Sequence, residues 1–112
     1  MAKSKNHFVT LADLFEQYDP VVIRFHLLRS HYRSVSDFSE DGILSSAQGL
    51  KRLRETYRAV RAVADVDTAP DAASFSEFRD RFSAAMNDDL NTPQAIAALF
   101  DASRAINRAL ED

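Results

Sequence analysis

The sequence predicts an all-α protein, an antiparallel helical bundle of about five helices with at most very short extended segments near residues 8–10 and 35–38. Three observations carry this prediction. The 112 residues include only two Gly and three Pro, too few breakers for a turn-rich sandwich or barrel. Apolar residues recur at spacings of three and four along most of the chain, the period of a helix with one buried face. Residues that start helices stand ahead of the apolar stretches.

Thr10 is the expected cap of the first helix, with Asp13 in the first turn, where a carboxylate suits the helix dipole. Leu11, Leu14, Phe15 and Tyr18 then fall on one face. Asp19-Pro20 opens the second helix, which runs to about Ser30. Val21, Val22, Ile23, Phe25, Leu27 and Leu28 make it apolar nearly all round, so packing on two sides is expected. Ser39 starts the third helix, whose stripe is Ile43, Ala47, Leu50, Leu53, Tyr57, Val60 and Ala64. Gly49 interrupts it at a cost of about 1 kcal/mol relative to Ala.

Residues 65–73 read as a loop containing Asp65, Asp67, Pro70 and Asp71. Ser74 with Glu77 forms a capping-box pattern for the fourth helix, which should bury Phe75, Phe78, Phe82, Ala85 and Met86. Residues 87–91 form a turn, and Thr92-Pro93 starts the fifth helix, with Ile96, Leu99, Phe100, Ser103, Ile106 and Leu110 on its packed face.

Composition narrows the function classes. The absence of Cys excludes disulfides, thiolate metal sites and cysteine nucleophiles. No Gly-rich phosphate loop is present, and no nucleophile stands beside a base at a readable spacing. No metal site is expected: His26 lies on an apolar helix without a second ligand at metal spacing, and the Asn87–Thr92 turn lacks the ligand alternation of a calcium loop. No apolar run approaches membrane-spanning length, so no membrane partner and a cytoplasmic location are expected. The net charge is −3, but it is unevenly divided. Residues 1–64 carry ten cations and seven anions, whereas residues 65–112 carry four and ten. A functional basic surface therefore belongs in the first part.

The strongest basic feature is on the third helix. Lys51, Arg54, Arg58 and Arg61 follow spacings of three, four and three, with Arg52 nearby. Such a row either faces a phosphate backbone or is a solvated helix face. His31-Tyr32-Arg33 places an imidazole, a phenol and a guanidinium at a helix end. These groups either contact RNA by stacking and phosphate pairing or simply terminate the helix.

Several of these segments, read in order, resemble cysteinyl-tRNA synthetase, a class I aminoacyl-tRNA synthetase. Met1-Ala2-Lys3-Ser4 resembles the end of the KMSKS loop. Phe8-Val9-Thr10-Leu11, Tyr18-Asp19-Pro20, Ile23-Arg24-Phe25, His31-Tyr32-Arg33-Ser34 and Phe38-Ser39-Glu40 follow. Met86-Asn87-Asp88-Asp89-Leu90-Asn91-Thr92-Pro93 resembles that family's later turn. The first Lys of KMSKS is absent, Ala2 replaces Ser, and Lys5, Asn6 and His7 stand where the family commonly has Leu, Gly and Asn.

The resemblance implies a segment of an enzyme that attaches cysteine to its tRNA with ATP, running from the KMSKS-like loop through a stem-contact segment (1–37) into a DALR-type helical bundle (38–112). It implies that Lys3 faces ATP phosphates, since charge developing on pyrophosphate needs a positioned cation. It implies tRNA as partner, with Arg33, Lys51, Arg54, Arg58 and Arg61 as candidate contacts. The catalytic core of the same synthetase, with its zinc, is the second implied partner. The segment itself is expected to carry no cofactor and no activity alone, and Met1 is expected to be an excised position rather than a natural start. Two alternatives stand beside it: a segment of the related cysteine ligase of mycothiol synthesis, or a stand-alone helical interaction module.

Overall fold

The computed structural model describes residues 10–35, 38–63 and 72–111. Within them lie five helices and no strand: α1 (Leu11–Gln17), α2 (Pro20–Leu28), α3 (Glu40–Val63), α4 (Ala72–Asn87) and α5 (Thr92–Glu111). The all-α bundle is thus observed. Of the expected extended segments, residues 8, 9, 36 and 37 lie outside the described residues. Thr10 is extended, and Val35 and Phe38 belong to neither helix nor strand.

The helix starts show the capping chemistry directly. Thr10 Oγ1 accepts from the Asp13 amide at 3.1 Å and the Asp13 carboxylate accepts from the Thr10 amide at 3.2 Å, a complete capping box. Asp19 Oδ1 accepts from the Val21 amide at 2.9 Å, with Pro20 in the first turn. Ser39 Oγ accepts from the Gly42 amide at 3.1 Å, just ahead of α3. Two starts differ from expectation. α4 begins at Ala72, so Ser74 lies inside it; Ala72 and Ala73 are strong helix formers that extend the helix backwards. At α5 the cap is Asn91 rather than Thr92, with Asn91 Oδ1 accepting from the Gln94 amide at 3.3 Å. Either side chain suits the role, and Asn is at least as good a cap as Thr.

From α2 onward, consecutive helices alternate in direction. Phe25 lies against Gly49 and Arg29 against Ser45 and Ser46, so α2 runs antiparallel to α3. Phe100 meets Gly49 and Asn107 meets Thr56, so α5 runs with α3. α4 returns beside α5, and α1 rests on α2. The arrangement measures 58 × 30 × 21 Å with a radius of gyration of 17.2 Å, against about 13 Å for a compact domain of this length.

The core sits where α1, α2 and α3 meet. Leu14, Val22, Ile23 and Ile43 form it, with Tyr18, Ala47 and Leu50 packed against it. Beyond it, burial on α3 follows small and polar residues: Ser46, Gly49 and Thr56. Tyr57, expected in the core, is 63% exposed. The reason is length. α2 has nine residues and α3 has 24, so α2 covers about 14 Å of a helix about 36 Å long. The α4–α5 hairpin likewise closes on Ala85, Ala95 and Ala98 rather than on its large side chains. Phe75, Phe82 and Leu99 are more than one-third exposed.

Candidate RNA interface

The cations singled out on α3 occupy one side of the helix. Lys51, Arg54, Arg58 and Arg61 are all exposed. Lys51 Nζ stands 4.0 Å from Glu55, an open surface pair of little energetic weight. The Arg61 guanidinium lies 5.9 Å from the centre of the Tyr57 ring, a cation–π arrangement on the surface. Arg54 and Arg58 make no ion pair with any described residue. Tyr57 thus joins this surface as an exposed aromatic among cations, the combination that single-stranded nucleic acid sites use for stacking and phosphate contact.

Arg33 is placed differently. It lies after α2, and its partners are on the turn between α4 and α5. Its Nε stands 3.0 Å from Asp89 Oδ2 and 2.9 Å from the Tyr32 phenolic oxygen, to which it donates. Tyr32 in turn donates to Asp89 Oδ1 at 2.6 Å. His31 stacks on Tyr32 with ring centres 4.7 Å apart, and its Nδ1 accepts from the Arg33 amide at 3.2 Å. Its Nε2 is 4.0 Å from Asp89. The hydrogen bond to the Asp89 carboxylate, opposed by the bond from Arg33, raises the Tyr32 phenol above its ordinary value of 10.0. Two segments that the sequence presents far apart, His-Tyr-Arg and the acidic turn, are therefore one cluster. Asp89 and Leu90 adopt positive φ of 52° and 53°, a conformation that costs a residue with a Cβ about 1–2 kcal/mol. This turn holds Asp89 toward Tyr32 and Arg33 and passes the chain to the Asn91 cap.

Behind the stripe, α3 and α5 share a polar seam. Thr56 Oγ1 and Ser103 Oγ are 2.7 Å apart and buried, with Asn107 Oδ1 accepting from Thr56 at 3.2 Å. At the other end of α3, Ser46 Oγ bonds His26 Nδ1 at 2.7 Å and accepts from Arg29 at 2.9 Å. His26 is buried and hydrogen-bonded, with Phe38 edge-on at 5.3 Å, so it belongs to the packing. Among the described residues no cluster of three His, Asp or Glu could hold a metal. Lys3 lies outside the described residues.

The hydrophobic pattern missed the seam because its members are small or polar. The signal was present as the series Ser46, Gly49, Leu53, Thr56, Val60, at spacings of three, four, three and four.

Two family models match the chain: residues 1–48 match the class I (C) tRNA synthetase catalytic domain and residues 81–112 match the DALR domain. The first stretch holds α1, α2 and the start of α3, and the second holds the Asp89 turn and α5. Together they define a class I aminoacyl-tRNA synthetase sequence. The cysteine–tRNA ligase of Chlorobium chlorochromatii (strain CaD3) is 49% identical over 111 residues, 99% of this chain. That of Deinococcus radiodurans is 45% identical over 118 residues, and that of Pseudomonas syringae pv. tomato 43% identical over 111. Within the class, the chain belongs to the cysteinyl-tRNA synthetase family as a segment of it. It spans 22–23% of the length of these curated relatives.

Proposed function

We propose that this chain supplies the tRNA-docking helices of a cysteine-ligating synthetase, with the exposed face of α3 lying on the tRNA backbone. The carrying observation is that face itself: Lys51, Arg54, Arg58 and Arg61 with Tyr57 exposed among them, and Arg54 and Arg58 without ion-pair partners among the described residues. Guanidiniums at that spacing pair with successive phosphates and release counterions as they do. Arg33 stabilises the Asp89 turn and presents its remaining donors beside it. The loop and stem-contact segment (1–37) and the bundle (38–112) divide this work.

The apolar face of α1 and α2 supports a second contact. Leu11, Phe15, Leu27 and Leu28 are each more than 40% exposed, on helices within the stretch that matches a catalytic domain. This face packs against the remainder of that domain. The reaction, the use of ATP and the recognition of cysteine belong to the longer protein. Lys3 is the one residue here that would meet ATP phosphates, by electrostatic stabilisation. The chain has no Cys, and among its described residues no group of His, Asp or Glu offers zinc a donor set. No helix among the described residues is long and apolar enough to cross a membrane, and we place the protein in the cytoplasm.

The test is a titration of labelled tRNA against the 112-residue chain and against an Arg54→Ala/Arg58→Ala variant at several salt concentrations. The variant should bind roughly ten-fold or more weakly, with the salt slope reduced by about two. Equal binding by both removes the α3 face from the interface.

A further inference from the structure

α3 carries a fifth cation, Arg52, which faces away from the row just described. At 100° per residue it lies about 140° round the helix from the mean direction of that row. There it lines an open cleft of about 650 Å³ between α3 and α5, together with Arg29 from the end of α2 and Arg104 from α5.

We propose that this cleft is a separate phosphate site, holding a phosphodiester of an RNA backbone; the inference rests on the RNA-docking function above and assigns it a second, distinct contact. Three guanidiniums from three helices line one cleft whose lining holds one carboxylate, Glu55, 4.0 Å from Lys51, while Asp101 outside the lining pairs with Arg104. Two of the guanidiniums are fixed in place. Arg29 donates through Nη1 to Ser46 at 2.9 Å, and Arg104 is held by Asp101. Each of those bonds uses only part of a five-donor fork, so donors remain for an incoming anion. Arg52 makes no ion pair with a described residue and is exposed.

The walls suit a backbone rather than a base or a small metabolite. Polar and apolar atoms share the walls about equally, with Ala59 and Phe100 the two apolar side chains, whereas small-molecule pockets bury their ligands mainly against apolar and aromatic walls. The hydroxyls of Ser45, Thr56 and Ser103 and the Asn107 amide complete a surface of hydrogen-bonding groups. Gly49 lets Phe100 of α5 come close to α3 at the edge of the cleft, since a Cβ there would stand 3.1 Å from Phe100 Cζ. Sites that contact phosphate and sugar without reading sequence have this composition.

The experiment titrates labelled tRNA against the 112-residue chain and against Arg52→Ala and Arg52→Lys, with circular dichroism confirming helix content. The expected result is a three- to ten-fold loss for Arg52→Ala with the salt slope reduced by about one, and partial rescue by Arg52→Lys. Nε–Hε NMR signals of Arg29 and Arg104 should shift on tRNA addition in the wild type and shift less in Arg52→Ala. If the wild-type chain binds tRNA and Arg52→Ala binds equally well, the cleft proposal is overturned while the α3 face stands. If the wild-type chain binds no tRNA, both are overturned.

Discussion

Tyr32 donates its phenolic hydrogen to Asp89 Oδ1 at 2.6 Å, across 57 positions of sequence. This bond joins the segment after α2 to the turn before α5, and Arg33 reinforces it from the same side.

A phenol donating to a carboxylate holds its proton more tightly in the folded protein, so its contribution to stability is present below the ordinary value of 10.0 and lost as pH rises through the raised one. Asp89→Asn removes the negative charge, and the Tyr32 titration should return toward the ordinary value. Residue-resolved NMR of labelled tyrosine measures this; an unchanged titration would refute the coupling.

A pH dependence of the opposite sign lies on the α4–α5 hairpin. Asp101 accepts from Arg81 at 2.6 Å and from Arg104, and these hydrogen bonds, Arg81 foremost, hold its carboxyl below the ordinary 3.8. Its contribution is present above that value and lost as pH falls through the lowered one. Thermal melts below about pH 4 should therefore show a smaller acid-induced fall in Tm for Asp101→Asn than for the wild type. At neutral pH the variant should be the less stable of the two.

Gly49 sets a steric limit. Ala gains about 1 kcal/mol of helix propensity there, but its methyl must displace the Phe100 ring edge from 3.1 Å. Phe100 is only half-buried and borders the cleft, so its ring has room to yield. Gly49→Ala should be neutral to stabilising by up to about 1 kcal/mol. Gly49→Leu should destabilise by about 1–3 kcal/mol through overpacking against Phe25 and Phe100. Urea denaturation separates the two outcomes, and equal effects would contradict the steric account.

The Thr56–Ser103 pair offers a double-mutant cycle. Ser103→Ala should cost about 1–3 kcal/mol, because a buried hydroxyl loses its main partner. Thr56→Val in the same background should cost less than Thr56→Val alone, giving a coupling of about 0.5–2 kcal/mol. Additive effects would mean that the hydroxyls do not depend on each other.

Much of the fold is legible in the sequence because helix starts are local chemistry. Thr10 with Asp13, and Asp19 with Pro20, need nothing beyond a few neighbouring residues to act as they do. Which face each helix buries is a different matter, decided by the length and position of its neighbours. Tyr57 fits the apolar repeat and is exposed because α2 stops short of it. Ser46 and Thr56 break the repeat and are buried because His26 and Ser103 meet their hydroxyls. The basic row was likewise readable from spacing alone. The Asp89 cluster was not, since its members are dozens of positions apart and are brought together only by the paths of α3 and α4.

α3 bears two separate packings along its length: its first half is seated against α2, and its second half against α5. Between them runs an uninterrupted hydrogen-bonded rod rather than a linker. The α1–α2 layer and the α4–α5 hairpin are therefore joined through one continuous helix, and they come closest at Gly49, where Phe25 and Phe100 meet edge to face. The joint between the two layers is thus a residue with no side chain, set within an unbroken helix.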